Sequence, residues 1–169
     1  EDSSGKSAIQ RIADKLGRNG VIVVLGSGES SFEERLLDVA RKTPNLVFVC
    51  GYSESLAEPL YHAGDLFLMP SSFEPCGISQ MLAMRRGQPC IAHAIGGLRD
   101  TIRDQETGFL FNGSTPGAQA DAFVETTLAA LTIRADDPIR WQDIRTAAAA
   151  QRFDWASSAK QTIENLYDD

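Results

Sequence analysis

The stretch LFLMPSSFEPCGISQMLAMRRGQPCIA, residues 66–92, decides the fold of this sequence. It joins two short apolar runs, LFLM and PCIA, through a turn of small and polar residues and then a segment with helical spacing. Continuous apolar runs separated by helices are typical of parallel strands that are buried on both faces. The turn also raises a chemical question, because a carboxylate beside a buried strand is costly unless something faces it.

The same alternation continues on both sides of this stretch. Apolar runs with strand character occupy residues 21–26, 46–50, 66–69, 89–92 and 108–111. Helical spacing or turn chemistry marks the segments 8–16, 31–40, 53–64, 78–85, 116–132, 138–151 and 155 onward. We therefore predict an α/β fold with one parallel sheet, helices on both faces and a helical tail. Such sheets bind ligands outside the carboxyl ends of their strands, so the turns after the strands form the candidate site.

The apolar pattern also predicts which side chains reach the core. Cys50 and Cys90 both lie in apolar strand-like runs, and we expect both thiols to fill the core. Ile78 and Leu82 are one helical turn apart in the segment that follows the EPCG turn. We expect these two residues to share the face of that helix that packs on the sheet.

The composition excludes several functional classes. The 169 residues suit one domain, and 23 acidic against 16 basic residues give a formal net charge of −7. This charge argues against a general surface for nucleic acid or anionic membranes, and no apolar run is long enough to span a bilayer. The 3 cysteines lack CxxC spacing and there are 2 histidines, so we expect no metal centre and free thiols in the cytoplasm.

Two glycines follow the first apolar run in the sequence LGSGES. Gly26, Ser27 and Gly28 have the spacing of the first half of a dinucleotide-binding turn, but serine occupies position 31, where the third glycine would stand. Two interpretations stay open: a tight structural turn, or a backbone that lies close to a nucleotide.

The EPCGISQ turn is more specific. Pro75 fixes the backbone, and Gly77 leaves room where another group could approach closely. The amides of Gly77, Ile78 and Ser79 would open a helix at the carboxyl edge of the sheet, which favours a bound phosphate. The segment AIGGL, residues 94–98, repeats this arrangement after the next strand. Adjacent glycine turns suit a diphosphate, with two compact structural turns as the alternative.

These motifs together resemble a known family. The segment DLFLMPSSFEPCGISQMLAMRRGQPCIAHAIGGLRDTI, with ETGFLF and RFDWASSA after it, resembles the C-terminal, nucleotide-sugar-binding half of starch and bacterial glycogen synthases. The resemblance extends from VIVVLGSGE to the final helix and keeps the order of the family's motifs. It implies the GT-B fold, a Rossmann-like domain, and transfer of glucose with retention from ADP-glucose or UDP-glucose to an α-1,4-glucan. It implies no metal and no cofactor.

The resemblance also implies roles for two side chains. Glu74 matches the functional acid of the EPCG motif, which holds the donor sugar and stabilises positive charge that develops at the anomeric carbon. The alternative for Glu74 is a cap on the next helix. Tyr52 matches an aromatic residue that lies against the adenine, with packing as its alternative. His93 falls where the family varies, and we expect a structural role for it.

The resemblance and the glycine turns together give one donor- and nucleotide-binding set. Its members are Lys6, Gly26, Ser27, Gly28, Tyr52, Cys76, Gly77, Ile78, Ser79, Gly96, Gly97 and Leu98. At Lys6 the sequence departs from the family's phosphate grip, since Glu1 stands in place of an arginine and Ser7 in place of a glycine. Many related transferases have a second glutamate at the position of Leu82, whereas Gln80 agrees with the bacterial glycogen synthases.

We expect residues 1–169 to form one nucleotide-sugar-binding domain, with the family's N-terminal acceptor domain outside this sequence. Alone, the domain should be inactive. The expected partners are a nucleotide-sugar donor and, through the acceptor domain, a glucan, with no nucleic acid or membrane. A plant-type synthase would place the protein in the plastid instead of the cytoplasm. Two alternatives stay open: a transferase of the same fold that uses another UDP-sugar, and a catalytically inactive nucleotide-binding or regulatory domain.

Overall fold

A computed structural model describes residues 5–166 of the chain, so Glu1 lies outside the described residues. Within that range the fold is α/β. The helices are α1 Ala8–Leu16, α2 Ser30–Lys42, α3 Glu54–Ala63, α4 Ser79–Arg85, α5 Gly96–Thr101, α6 Pro116–Asp136, α7 Pro138–Ala150 and α8 Trp155–Leu166. The strands are β1 Ile22–Gly26, β2 Leu46–Cys50, β3 Phe67–Met69, β4 Cys90–His93 and β5 Gly108–Phe111. Each strand lies within one residue of its predicted ends.

All strand pairs are parallel, as predicted, but the ladders form two sheets in the described residues instead of one. β1 pairs with β2, with Ile22 opposite Leu46, and β4 lies between β3 and β5. The core nevertheless continues across both sheets, because Ile22 and Leu46 belong to the same buried cluster as Ile91 and Phe109. The expected single sheet is therefore corrected to two sheets that share one core.

The strand β4 is buried on both faces. Successive side chains of a strand point to opposite faces, and the neighbours of β4 follow this alternation. Ile91 packs with Phe123 of α6, whereas Cys90 and Ala92 pack with Met84 of α4. Helices thus cover both faces of this sheet, which confirms the expectation drawn from its uninterrupted apolar runs.

The buried face of α4 is not the predicted one. Ile78 is 68% exposed and Leu82 is 44% exposed, whereas Gln80, Ala83 and Met84 are buried. The residues Gln80, Ala83 and Met84 also follow helical spacing, so the sequence contains two possible stripes. The stripe that packs on the sheet begins with a glutamine. A prediction based on apolar residues alone therefore selects the other stripe.

The two cysteines predicted to fill the core differ. Cys90 is buried, and its burial raises the pKa of the thiol. Cys50 is exposed, because it is the last residue of β2 and reaches the carboxyl edge of the sheet. A hydrogen bond to Glu33, slight desolvation and the charge of Glu33 raise the pKa of Cys50. The expectation for Cys90 is confirmed and that for Cys50 is wrong.

Candidate functional site

The loops after β3 and β4 lie against each other, as predicted. The amide of Gly97 donates a hydrogen bond to the carbonyl oxygen of Glu74, 3.1 Å away. A Cβ at Gly97 would collide with the carbonyl of Cys76 and lie 2.6 Å from its Cα. A Cβ at Gly96 would collide with the carbonyl oxygen of Glu74. Only glycine fits at these two positions, because the obstructing atoms belong to a backbone. We call the segments 70–78 and 94–97 the closed loop pair.

Glu74 lies half-buried within the closed loop pair. In the part of the chain that the structure describes, no side-chain capping hydrogen bond is formed by the residue that precedes α4 or by the one that precedes α5. Within residues 5–166, the side chain of Glu74 forms no hydrogen bond to the first turn of either helix, although its carbonyl oxygen accepts from the amide of Gly97 in α5. Its backbone carbonyl joins the two loops, and its carboxylate stays available for another partner.

Behind this loop lies Gln80, a residue that the sequence analysis used only to assign a branch of the family. Its side chain is 0% exposed, and its Nε2 donates to the carbonyl oxygens of Cys76, at 3.1 Å, and Gly77, at 3.0 Å. Gly77 has φ 76°, and a Cβ there would lie 2.8 Å from Nε2 of Gln80. The space beside Gly77 is thus occupied by this amide. The sequence did contain a signal for Gln80: it is a polar residue at helical spacing from Ala83 and Met84, which are buried on the same face of α4.

The loops after β1 and β2 form a second pair at the same kind of strand end. The amide of Gly51 donates to the carbonyl oxygen of Gly26 at 2.9 Å, and the amide of Gly28 donates to Oε1 of Glu33 at 2.7 Å. A Cβ at Gly26 or Gly28 would meet nothing within 4 Å. We call the segments 26–29 and 50–53 the open loop pair, since its first two glycines face unoccupied space.

Tyr52 belongs to the open loop pair and is 84% exposed. Its hydroxyl donates to Oε1 of Glu54 at 2.9 Å, and this hydrogen bond, followed by the charge of Glu54, raises the pKa of the phenol. Because its side chain is so exposed, Tyr52 does not pack in the core. The ring lies at the surface, next to the strand end.

The phosphate grip expected at Lys6 lies at the start of α1. Nζ of Lys6 is 2.5 Å from Oδ2 of Asp14, one of the polar contacts of this lysine. Ser7, which replaces the family's glycine, caps α1 and forms a capping box with Gln10. The departure at Ser7 thus has a local structural reason. A role for Lys6 in phosphate binding stays a prediction.

His93 has the structural role that we expected. It is 7% exposed, and its ring stacks on Phe111 with the ring centroids 5.3 Å apart. Its Nδ1 lies 3.0 Å from the carbonyl oxygen of Ser71, which can only accept, so Nδ1 carries a proton. This bond ties the start of the loop that contains Glu74 to the end of β4.

A cavity of about 270 Å³ lies away from both loop pairs, between α3 and α4. It is lined by Glu58, Tyr61, Leu82, Arg85 and Arg86. Arg86 and Glu58 form an ion pair at 2.5 Å, so the polar groups of this cavity are partly engaged with each other. The glycine turns and the half-buried carboxylate make the sheet edge the stronger candidate.

Residues 5–166 contain no cluster of three or more histidine, cysteine or acidic side chains that could hold a metal ion. In the same range, every helix is too short or too polar to traverse a bilayer.

Known proteins agree with this architecture. A family model described as "Glycosyl transferases group 1" matches residues 6–129. The chain belongs to this family. The chain is 40% identical over 156 residues to a glycogen synthase of Cellvibrio japonicus (strain Ueda107), covering 86% of this chain and 31% of that protein. It is 34% identical over 164 residues to the glycogen synthase of Francisella philomiragia, covering 94% of this chain and 34% of the relative.

Solved structures show the same fold. The catalytic domain of starch synthase IV from Arabidopsis thaliana, bound to ADP and acarbose, matches with a TM-score of 0.76 and 29% identity. That match covers 96% of this chain and 35% of the other. Anabaena HepE in complex with UDP-glucose matches with a TM-score of 0.66 and 23% identity, covering 94% of this chain and 44% of the other. The predicted GT-B architecture is thus confirmed, for a chain that spans about a third of its curated relatives.

Proposed function

We propose that this chain is the donor-binding domain of a glucosyltransferase of the glycogen and starch synthase type. The reaction is transfer of glucose, with retention, from ADP-glucose or UDP-glucose to an α-1,4-glucan. The observation that carries the proposal is the closed loop pair, which holds the backbone of the half-buried Glu74 at the carboxyl edge of a parallel sheet. The named relatives and the ADP-bound starch synthase support the same assignment.

In this proposal Glu74 holds the donor glucose. Positive charge develops at the anomeric carbon as the bond to the diphosphate breaks, and a fixed carboxylate lowers the energy of that state. The backbone of Glu74 is held by Gly97, so binding of the donor has to fix only the torsions of the Glu74 side chain. Charges that are placed in advance supply a large part of enzymatic rate enhancement.

The rest of the donor is divided between the two loop pairs. The diphosphate and the glucose lie along the closed loop pair, at Cys76, Gly77, Ile78, Gly96 and Gly97, and at Ser79, the first residue of α4. Leu98, which the sequence also assigned to this set, is 0% exposed and packs in the core, so it is left out. The base lies against the exposed ring of Tyr52, near the open turn formed by Gly26, Ser27 and Gly28. Two strand-end loop pairs suit a ligand with two chemically different ends.

The acceptor glucan, in this proposal, binds to a part of the protein outside these residues, and the enzyme acts in the cytoplasm. A second candidate is an inactive nucleotide-binding domain. One observation favours it: the family's phosphate grip is altered here, with Ser7 used as a helix cap and Lys6 paired with Asp14.

The two candidates differ in what Glu74 does. In the natural full-length protein, we expect Glu74→Gln to leave ADP affinity nearly unchanged and to lower kcat by about 10²–10³, the size seen when one electrostatic stabiliser is lost. The matched control is Glu125→Gln, which removes a carboxylate from the exposed surface of α6.

The measurement is glucan elongation with ADP-glucose and with UDP-glucose, together with a calorimetric titration of the 169-residue chain with ADP and UDP. If the Glu74→Gln protein elongates glucan as fast as the wild-type protein, Glu74 has no catalytic role. Nucleotide binding without elongation by the wild-type protein would favour the inactive domain.

A further inference from the structure

Gln80 is a polar residue buried at the back of the candidate site. Its side chain is 0% exposed, and its amide nitrogen contacts three acceptors. Two are the carbonyl oxygens of Cys76 and Gly77, and the third is Oγ1 of Thr101, 3.3 Å away on α5. Among the buried side-chain atoms of residues 5–166, its Oε1 lacks a hydrogen-bond partner.

The orientation of this amide is fixed by its surroundings. Backbone carbonyls only accept hydrogen bonds, so the nitrogen end of the amide must face Cys76 and Gly77. Oε1 is then left against Gly77, whose missing Cβ provides the space. A buried acceptor without a partner lowers stability, and such an atom in a folded protein calls for an explanation. Oε1 lies against Gly77, in the loop that carries Glu74, and this position points to function.

The contacts of Gln80 close a ring of hydrogen bonds through both loops. Nε2 of Gln80 donates to Thr101 Oγ1, and this hydroxyl donates to the carbonyl oxygen of Gly97 at 2.6 Å. The amide of Gly97 donates to the carbonyl oxygen of Glu74 at 3.1 Å, and the chain returns through Cys76 to Gln80. A displacement of any member changes the distance between the two loops.

We infer that Gln80 is a positioning residue that sets the place of Glu74 and the closed loop pair relative to the donor sugar. The inference rests on the proposed function, because it assigns Gln80 a task in that reaction. Gln80 does not touch the reacting atoms. It acts through the carbonyls of Cys76 and Gly77 and through Thr101, and it keeps the loop in one geometry at the expense of an unpartnered acceptor.

The chain contains a matched control for this residue. Gln88 is 2% exposed, and its Nε2 also donates to two backbone carbonyls, those of Leu60 at 2.6 Å and Tyr61 at 3.0 Å. A Cβ at Gly64 would lie 2.8 Å from Cδ of Gln88, as one at Gly77 would crowd Gln80. Gln88 holds the end of α3, outside the closed loop pair. The two glutamines therefore share burial and bonding and differ in what they hold.

The test compares Gln80→Met with Gln88→Met in the natural full-length protein. Both changes remove a buried amide and keep a side chain of similar length, so we expect both to lower Tm. Only Gln80→Met should lower kcat for glucan elongation, by about 10- to 100-fold, because a displacement of a reacting group by 1 Å can cost 10²-fold in rate. Equal kcat in the two variants, measured well below both Tm values, would overturn the inference.

Thr101→Val tests the ring a second time, alone if Gln80→Met does not fold and in combination with Gln80→Met if both variants fold. It removes the bridging hydroxyl and keeps the branched shape. We expect it to lower kcat in the same direction, and the double variant to be little worse than Gln80→Met alone, because members of one network are not additive. Independent, additive effects on kcat would contradict the ring.

Hydrogen exchange separates a failure of this inference from a failure of the proposed function. Absence of glucan elongation by the wild-type protein, with either donor, means that the proposed function is wrong. Exchange in the peptide 94–101 then decides the role of Gln80, since the amide of Gly97 is protected by its bond to Glu74. Faster exchange in Gln80→Met than in Gln88→Met supports the loop-holding role, and equal exchange overturns it.

Discussion

The closed loop pair and the open loop pair use glycine for different purposes. In the closed pair, a Cβ at Gly96 or Gly97 would collide with the backbone of the opposite loop. In the open pair, a Cβ at Gly26 or Gly28 would meet nothing within 4 Å. The first set of glycines is therefore required by the fold itself. The second set has no such requirement from the neighbouring protein atoms, so a tight turn and a nearby nucleotide stay as the two interpretations of it.

The strands below the two loop pairs also differ in burial, and the more buried strand lies below the closed pair. Every residue of β4, below the closed pair, is buried, whereas Val23 of β1 and Val47 of β2 are 39% and 44% exposed. A site is held more precisely when its supporting elements are packed on all sides. This difference suits the proposed division of labour, in which the closed pair holds the reacting sugar and the open pair holds the base.

The strongest test of this comparison is Gly97→Ala. The added Cβ would strike the carbonyl of Cys76, which cannot rotate away like a side chain. We expect the free energy of unfolding to fall by about 1–3 kcal/mol, as in other overpacked sites, and kcat to fall by about 10²-fold as the loops separate. Denaturant unfolding and glucan elongation measure the two effects.

Gly28→Ala is the control for Gly97→Ala, since both changes add the same methyl group after a strand. A Gly97→Ala protein as stable and as active as Gly28→Ala would show that the loops of the closed pair yield to each other, and the difference between the two pairs would disappear.

Next in size is the effect of Tyr52→Ala in the open pair. The ring is 84% exposed, so its removal should leave Tm nearly unchanged. Stacking of a base on an aromatic ring is worth about 1–3 kcal/mol, so we expect ADP to bind roughly tenfold more weakly or worse. Tyr52→Phe keeps the ring, loses the bond to Glu54, and should bind ADP like wild type. A calorimetric titration in which all three proteins bind alike would make Tyr52 a surface residue only.

A smaller effect is expected for Gly28→Ala itself. Because a methyl group at this position meets no protein atom, the free energy of unfolding should change by no more than about 0.5 kcal/mol. If the turn lies close to the nucleotide, the same methyl group should weaken ADP binding several-fold. Unchanged affinity together with unchanged stability would leave Gly28 as a plain turn residue and shift the base-binding role to Tyr52 alone.

The strands and the closed loop pair could be predicted because their signals are local. Continuous apolar runs define the strands, and glycines at two adjacent strand ends indicate close backbone approach. The division of the strands into two sheets could not be predicted. An apolar run indicates that a strand is buried, but it does not show which other strand will pair with it. The positions of the strands are therefore confirmed, and their arrangement as one sheet is not.

The errors inside the site have a different cause. Ile78 and Leu82 were assigned to the core because they are apolar, yet Gln80 is buried in their place. A buried glutamine is stable only with its hydrogen bonds. Two of the partners of Gln80, Cys76 and Gly77, are close in sequence, but Thr101 is 21 residues away and reaches it only in the folded chain. Spacing alone does not predict that third contact. Cys50 was misassigned in the same way, because its exposure depends on where the strand ends.

The smallest expected effect concerns the thiol of Cys50 in the open pair. Its hydrogen bond to Glu33, slight desolvation and the charge of Glu33 raise its pKa, and Glu33 also holds the amide of Gly28. A higher pKa means less thiolate near pH 8, so Cys50 should be alkylated more slowly than a free cysteine. In a Cys76→Ser background, Glu33→Gln should lower this pKa and speed alkylation a few-fold, whereas Glu34→Gln on the same helix should not. Equal rates in both variants would mean that Glu33 does not join the turn after β1 to the end of β2.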